Sequence, residues 1–220
     1  MLRTLFFIAL GLLTATSSAA QTVDDLFFYG RRNPAVGARM AGMGGAAVAG
    51  LSDWSAAYAN PAGLAYLRGK QVVLSGHGYV QGTQSYAFGI DHEAEGASVG
   101  VASFATPLPT TRGALAVGAG YQETAVFTRG LTVVDGLGIY ENHESGVLGE
   151  FSVAGAAAVS PRVVVGLSAN APIGRYEFNE QFFDGDSEDP SFDAEITGGN
   201  VRAGVSVQAT PRLRVGVTAE

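Results

Sequence analysis

Cysteine is absent from the 220 residues, and only 15% of them are charged. Without thiols the chain is neither a disulfide-stapled secreted module nor a thiolate metal site. The scarce charge accompanies 47% hydrophobic residues and a mean hydropathy of +0.20, which excludes a disordered tail. Basic residues are the rarer sign, 13 Lys and Arg against 20 Asp and Glu, for a net charge of -7. Such a chain has little with which to neutralise phosphates, so nucleic acid is not expected as a partner. Long apolar runs are missing as well. Leu5–Leu13 is the one candidate, about half the length a membrane-spanning helix needs, and every stretch after Gln21 is cut by Gly, Pro or charge.

That single run follows Arg3 and gives way to the small residues Thr14–Ala20, with Ser18 and Ala20 at cleavage spacing. Residues 1–20 therefore read as a secretory signal peptide. Its removal leaves 12 basic and 20 acidic residues, a net charge of -8. An exported, acidic, apolar chain without a membrane helix is either a soluble β protein or an outer-membrane barrel.

The remaining chain divides into two regions. Residues 21–69 are dense in Gly and Ala and hold the only Trp, Trp54. From residue 70 onward apolar residues alternate with small or polar ones. Val163, Val165, Leu167, Ala169, Ala171 and Ile173 interleave with Val164, Gly166, Ser168, Asn170 and Pro172, and the pattern returns over 200–209 and 213–219. Period two over segments of about ten residues marks strands whose two faces meet different surroundings. Short turns fall at Pro107–Arg112, Ser160–Arg162 and Thr210–Arg212, while Thr128–Ser145 and Phe178–Gly198 read as long polar loops. Alternating short and long connections favour a membrane barrel over a sandwich. Ser160–Ala169 also aligns with Thr210–Ala219, a repeat of 50 residues. The expected strands are 70–81, 96–107, 113–126, 146–159, 162–177, 199–209 and 212–220, with an excursion at 82–95. Seven strands do not close a barrel, because an open edge in lipid leaves backbone groups unpaired. The expectation is an all-β antiparallel transmembrane barrel with an N-terminal plug, incomplete here as the first part of a longer protein.

The segment Gly37–Leu64 reads GARMAGMGGAAVAGLSDWSAAYANPAGL. A Gly-Ala run, an Asp and then Asn-Pro-Ala just before the first strand resembles the N-terminal hatch of the FadL/TodX family of outer-membrane transporters for long-chain fatty acids and other hydrophobic compounds. Phe104–Gly113 continues the likeness loosely. The resemblance implies a monomeric barrel of roughly fourteen strands, inside the usual range, of which residues 70–220 supply about half. It further implies that Gly37, Gly42, Gly44, Gly45, Asp53, Asn60, Pro61, Ala62 and Gly63 belong to a hatch that gates the pore. Ligand would leave sideways through the wall, down its gradient and without a cofactor. Local physics suits such a plug. Pro61 ends a helix begun near Asp53, and Asn60 caps the next turn with Pro61 as its first residue. The small residues of 37–50 let backbone lie close against a wall.

Other chemistry finds little support. Gly42-Met-Gly44-Gly45-Ala-Ala47 has the form of a dinucleotide fingerprint but lacks the preceding strand and the acidic residue about 20 positions on. The acidic run Asp184, Asp186, Glu188 and Asp189 lacks the Gly and distal Glu of a calcium loop and reads as a solvated loop. His77, His92 and His143 have no metal-ligand spacing, and no Gly-x-Ser-x-Gly elbow is present, so neither a metal nor an enzyme is expected. Arg202, Arg212 and Arg214 fall on the polar face near turns and are placed at the rim. Tyr121, Phe127 and Tyr140 are candidates for an outer aromatic girdle. The leading expectation is passive outer-membrane transport of hydrophobic compounds, with lipid bilayer and hydrophobic small molecules as partners. The alternatives are a non-transporting barrel serving secretion or assembly, as in PorV-like relatives, and a soluble exported β module.

Overall fold

A computed structural model of the protein describes residues 31–32, 36–85, 90–111, 113–135, 138–182 and 190–220. The expected leader, residues 1–20, and the acidic run of Asp184, Asp186, Glu188 and Asp189 lie outside the described residues. In chain order come β1 (Arg31–Arg32), α1 (Gly37–Gly42), α2 (Ser55–Ala59), a 3-10 helix (Pro61–Tyr66) and β2 (Gln71–Ser85). Then follow β3 (Ile90–Leu108), β4 (Leu115–Asp135), β5 (Gly138–Ser160), β6 (Val163–Phe182), β7 (Ser191–Thr197), β8 (Asn200–Thr210) and β9 (Leu213–Ala219). The strands form one antiparallel sheet in the order β2-β3-β4-β5-β6-β8-β9, with β1 on β4 and β7 on the far half of β6. The chain is thus all-β and antiparallel. Among the described residues the sheet is open between β2 and β9.

The short turns form where the sequence places them, and two of them share one device. Ser160 Oγ accepts from the backbone N–H groups of Arg162 and Val163, and Thr210 Oγ1 accepts from those of Arg212 and Leu213. In each a hydroxyl side chain closes the turn and Pro presets its backbone. The opposite end differs from expectation. Thr128–Ser145, expected as a loop, is strand almost throughout, since β4 runs to Asp135 and β5 starts at Gly138. Most of the excursion 82–95 likewise extends β2 and β3. Polarity on both faces had the look of a loop, yet Thr, Val and Tyr in these stretches suit an extended backbone. Within Phe178–Gly198, β6 continues to Phe182, and β7 then lies in line with β8 along the same edge of β6, the ladder broken at Gly198 and Gly199.

Burial separates the two faces sharply. On β6, Val164, Gly166, Ser168 and Asn170 are buried, whereas Val165, Leu167, Ala169, Ala171 and Ile173 are exposed. Leu74 on β2 is 78% exposed, Val153 on β5 65% and Leu167 60%, against 1% for Ser168 and 0% for Gln122. The apolar face of the sheet looks outward. The small and polar inner face is covered by residues 36–67, and the apolar core lies between this inner segment and the sheet.

Candidate functional site

The inner segment is built by a chain of local devices. Gly37 starts α1 at φ 76°, and Gly44 and Gly45 turn the chain after it at φ 62° and 81°. Only glycine takes such angles at little cost. Asp53 accepts from the backbone N–H of Ser55 at 3.0 Å and pairs with Arg39 at 3.1 Å, tying the start of α2 back to α1. Helix α2 ends at Asn60, Pro61 opens the 3-10 helix, and Asn60 Oδ1 accepts from the Ala62 N–H at 3.1 Å. This corner is the one read from Asn60-Pro61-Ala62. Gly63 packs against Leu51 and Ala56, where a Cβ would stand 2.7 Å from the Leu51 carbonyl oxygen.

The wall is small where the segment is large. Ala116, Ala156, Gly166 and Gly204 lie in register across β4, β5, β6 and β8. A Cβ on Gly166 would collide with the backbone of Pro61 and Ala62, and one on Gly204 with Asn60 and Pro61. Gly118 leaves room for Trp54, whose Cζ3 would be 2.7 Å from an added Cβ. The Gly-Ala run itself behaves otherwise. Added Cβ atoms on Gly42 and Gly44 would meet nothing within 4 Å, so these residues do not lie against the wall. Close approach begins at the end of that run, where the Val48 carbonyl lies against Gly216 with no room for a Cβ, and continues through 51–67, whose bulky Leu51, Trp54 and Leu64 need a recessed surface.

Polar groups fasten the segment to β6, β8 and β9. Asn60 Nδ2 reaches the carbonyls of Val48, Val205 and Val217 at 2.9, 3.1 and 3.4 Å. Arg202 donates to the Ala57 carbonyl at 3.3 Å, lies 4.9 Å from the centre of the Tyr58 ring, and pairs with Glu150 and Glu220. Arg214 donates to the Ala49 carbonyl and stacks 3.7 Å over Tyr66. The rim placement therefore fails for Arg202, which is buried, and for Arg214, while Arg212 is exposed at its turn. Proximity to a turn misled, since inner-face residues next to a turn still face the segment.

Beside α1 the wall parts. β3 and β4 are paired from Val101↔Gln122 to Leu108↔Leu115. Beyond that point, among the described residues, β3 pairs only with β2, and β4 pairs with β5 and, at Val126 and Ala125, with β1. The ladders slip on both sides of the parting, at Ser75/Gly76 in β2–β3 and at Glu123/Ala125 in β4–β5. At its base is a cavity of about 400 Å³. Its walls are Gly37, Ala38 and Ala41 of α1, Ser75, Gly76 and His77 of β2, Gly100 of β3 and Glu123 of β4. Glu123 Oε1 stands 2.8 Å from His77 Nε2 and is buried. Close by, Gln122 donates to Glu150 at 2.8 Å, and Ser152 shares the same carboxylate oxygen at 3.2 Å.

Sequence reasoning missed Gln122, Glu123, Glu150 and the role of His77. The signal was present in Tyr121-Gln-Glu-Thr-Ala, where alternation stutters, as it does at a bulge. The same bulge corrects the aromatic girdle. Tyr121 shares the outer face with Phe151, ring centres 5.2 Å apart, but Phe127 pairs in register with Gly146 and so with Tyr176 on the inner face. His143 lies 3.3 Å from Glu141. The side chains of His92 and Tyr140 lie outside the described residues. Comparison with family models, curated proteins and solved structures finds no match to this chain.

Proposed function

We propose that the chain forms wall and hatch of an outer-membrane transport barrel for hydrophobic compounds, with residues 36–67 as the hatch. The observation that carries this reading is the outward apolar face. Along β6 it runs from Val163 to Ile173, about eleven residues, the length a tilted strand needs to cross the hydrocarbon of a bilayer. It then gives way at the same parity to Arg175 and Glu177. Neighbouring strands follow the pattern, with Phe151 and Val153 on β5, Val201 and Val205 on β8, and Val215 and Val217 on β9. Soluble monomers rarely expose so large a contiguous apolar patch. In lipid the same face is solvated, and the polar inner face is served by the hatch.

Transport is favoured over a passive structural role by the parting between β3 and β4 beside the hatch. A hydrophobic compound entering the lumen would reach the cavity at its base and leave between the strands into the bilayer. The second reading, a secretion or assembly partner, draws on the polar ends of β4, β5 and β6 beyond the apolar stretch, which offer a docking surface outside the membrane. Uptake of a labelled long-chain hydrocarbon or alcohol into cells with and without the protein separates the two. Faster uptake in the cells that carry it is expected, and equal uptake would sink transport. Recovery in a detergent-free periplasmic wash would overturn both and favour an exported soluble module.

A further inference from the structure

We infer that the cavity at the β3–β4 parting selects hydrophobic molecules that carry a hydrogen-bond-donating head group, a hydroxyl or an amine, and rejects carboxylates. The inference rests on the transport reading and names the ligand class of that same site. Glu123 is 1% exposed, and among the described residues its Oε2 accepts no hydrogen bond. His77 sits at ion-pair distance from Oε1 and is itself 3.3 Å from Ser98 Oγ, and among the described residues Oε2 has no neighbour of this kind. A buried carboxylate in that condition is costly, and an incoming O–H or N–H relieves the cost.

The rest of the cavity decides against an anionic ligand. Among the described residues neither Lys nor Arg lines it, and Gly37, Ala38, Ala41 and Gly100 supply a small-residue wall along which an alkyl chain would lie. At about 400 Å³ the space falls within the range of small-molecule pockets. A ligand carboxylate would meet Glu123 as a like charge at short range. A hydroxyl or ammonium would instead donate to Oε2 with its chain lying along α1.

The test is equilibrium retention of labelled dodecanol, dodecylamine, dodecanoate and dodecane by the whole protein in lipid nanodiscs, with empty nanodiscs subtracted. Dodecanol and dodecylamine should be retained at least about tenfold better than dodecanoate, as a charge-assisted hydrogen bond warrants. Retention of both supports donation in general, and retention of the amine alone narrows the class to ammonium. Glu123→Gln should cut the preference for the amine about tenfold, and Ala41→Phe, which fills the cavity, should lower retention of every bound compound. Dodecanoate held as well as dodecanol, or a ranking unmoved by Glu123→Gln, would overturn the inference and leave transport standing. Retention of none of the four compounds would overturn both.

Discussion

Two glycines that look alike in the sequence do opposite work. Gly166 faces the Asn60-Pro61-Ala62 corner with no room for a methyl group, whereas Gly42 ends α1 with open space around it and an ordinary backbone angle. Gly166→Ala should therefore push the inner segment off its seat and destabilise the protein by about 1–3 kcal/mol, the usual cost of overpacking. Gly42→Ala should be neutral or stabilising by about 0.4–1 kcal/mol through the unfolded chain. Denaturation midpoints of the two variants in the same detergent check this, and equal values would refute the seat. Arg202 teaches a related lesson. Its alternating position made it polar-faced from the sequence, but its partners come from α2, β5 and the end of the chain, and so only the assembled molecule shows that it is a clamp.

Among elements, β1 and β7 are the most informative. β1 adds two residues to the edge of β4 that β3 has left, and so fills part of the parting. Directly paired Cα atoms are about 4.5–5.5 Å apart, inside the range a disulfide bridges. The chain has no cysteine of its own. The double variant Arg31→Cys with Val126→Cys should cross-link on oxidation, hold β1 in the parting and slow uptake of hydrophobic compounds, with recovery on reduction. Uptake indifferent to oxidation of the linked protein would mean that the parting is not the way out.

β7 is laddered to the far half of β6 and braced there by charge. Arg175 donates to both carboxylate oxygens of Asp193, at 3.0 and 2.7 Å, and also pairs with Glu177. Chiefly through that hydrogen bonding, the Asp193 carboxyl is held below its ordinary value. A carboxyl lowered on folding stabilises above its unfolded value, and the contribution fades as pH falls through the folded one. Amide exchange over 191–197, corrected for its intrinsic pH dependence, should thus gain relative speed as pH drops below the ordinary carboxylate range, while that over 200–207 keeps pace with its surroundings. Asp193→Asn should show the faster exchange already at neutral pH, and both effects should be small because the pair is exposed.

At the scale of the molecule, the direction of the apolar face decides what solvent the protein requires. Leu167 lies midway along the outward stretch of β6. If that stretch is in lipid, Leu167→Arg should cost about 2–4 kcal/mol of stability in a bilayer. If the protein is a soluble module, the same change at an exposed position should fall within about 0.5 kcal/mol of neutral. Urea unfolding from lipid vesicles distinguishes the outcomes.

What the sequence determined by itself is local. Most of the strands from 70 onward, β7 and the far ends of β2 to β5 excepted, follow from period-two alternation, the turns at 160 and 210 from Ser-Pro and Thr-Pro, and the corner at 60 from an asparagine ahead of a proline, because each depends on neighbours a few residues away. Which face looks outward, where alternation changes parity, where β3 leaves β4 and why Glu123 is buried beside His77 were decided only by the tertiary structure. Those features arise from pairing between residues far apart in the chain and from the inner segment competing for one face of the sheet. A pattern of apolar and polar residues states that two faces differ, but it carries no sign, and here the sign is set by residues 36–67 lying on the polar side.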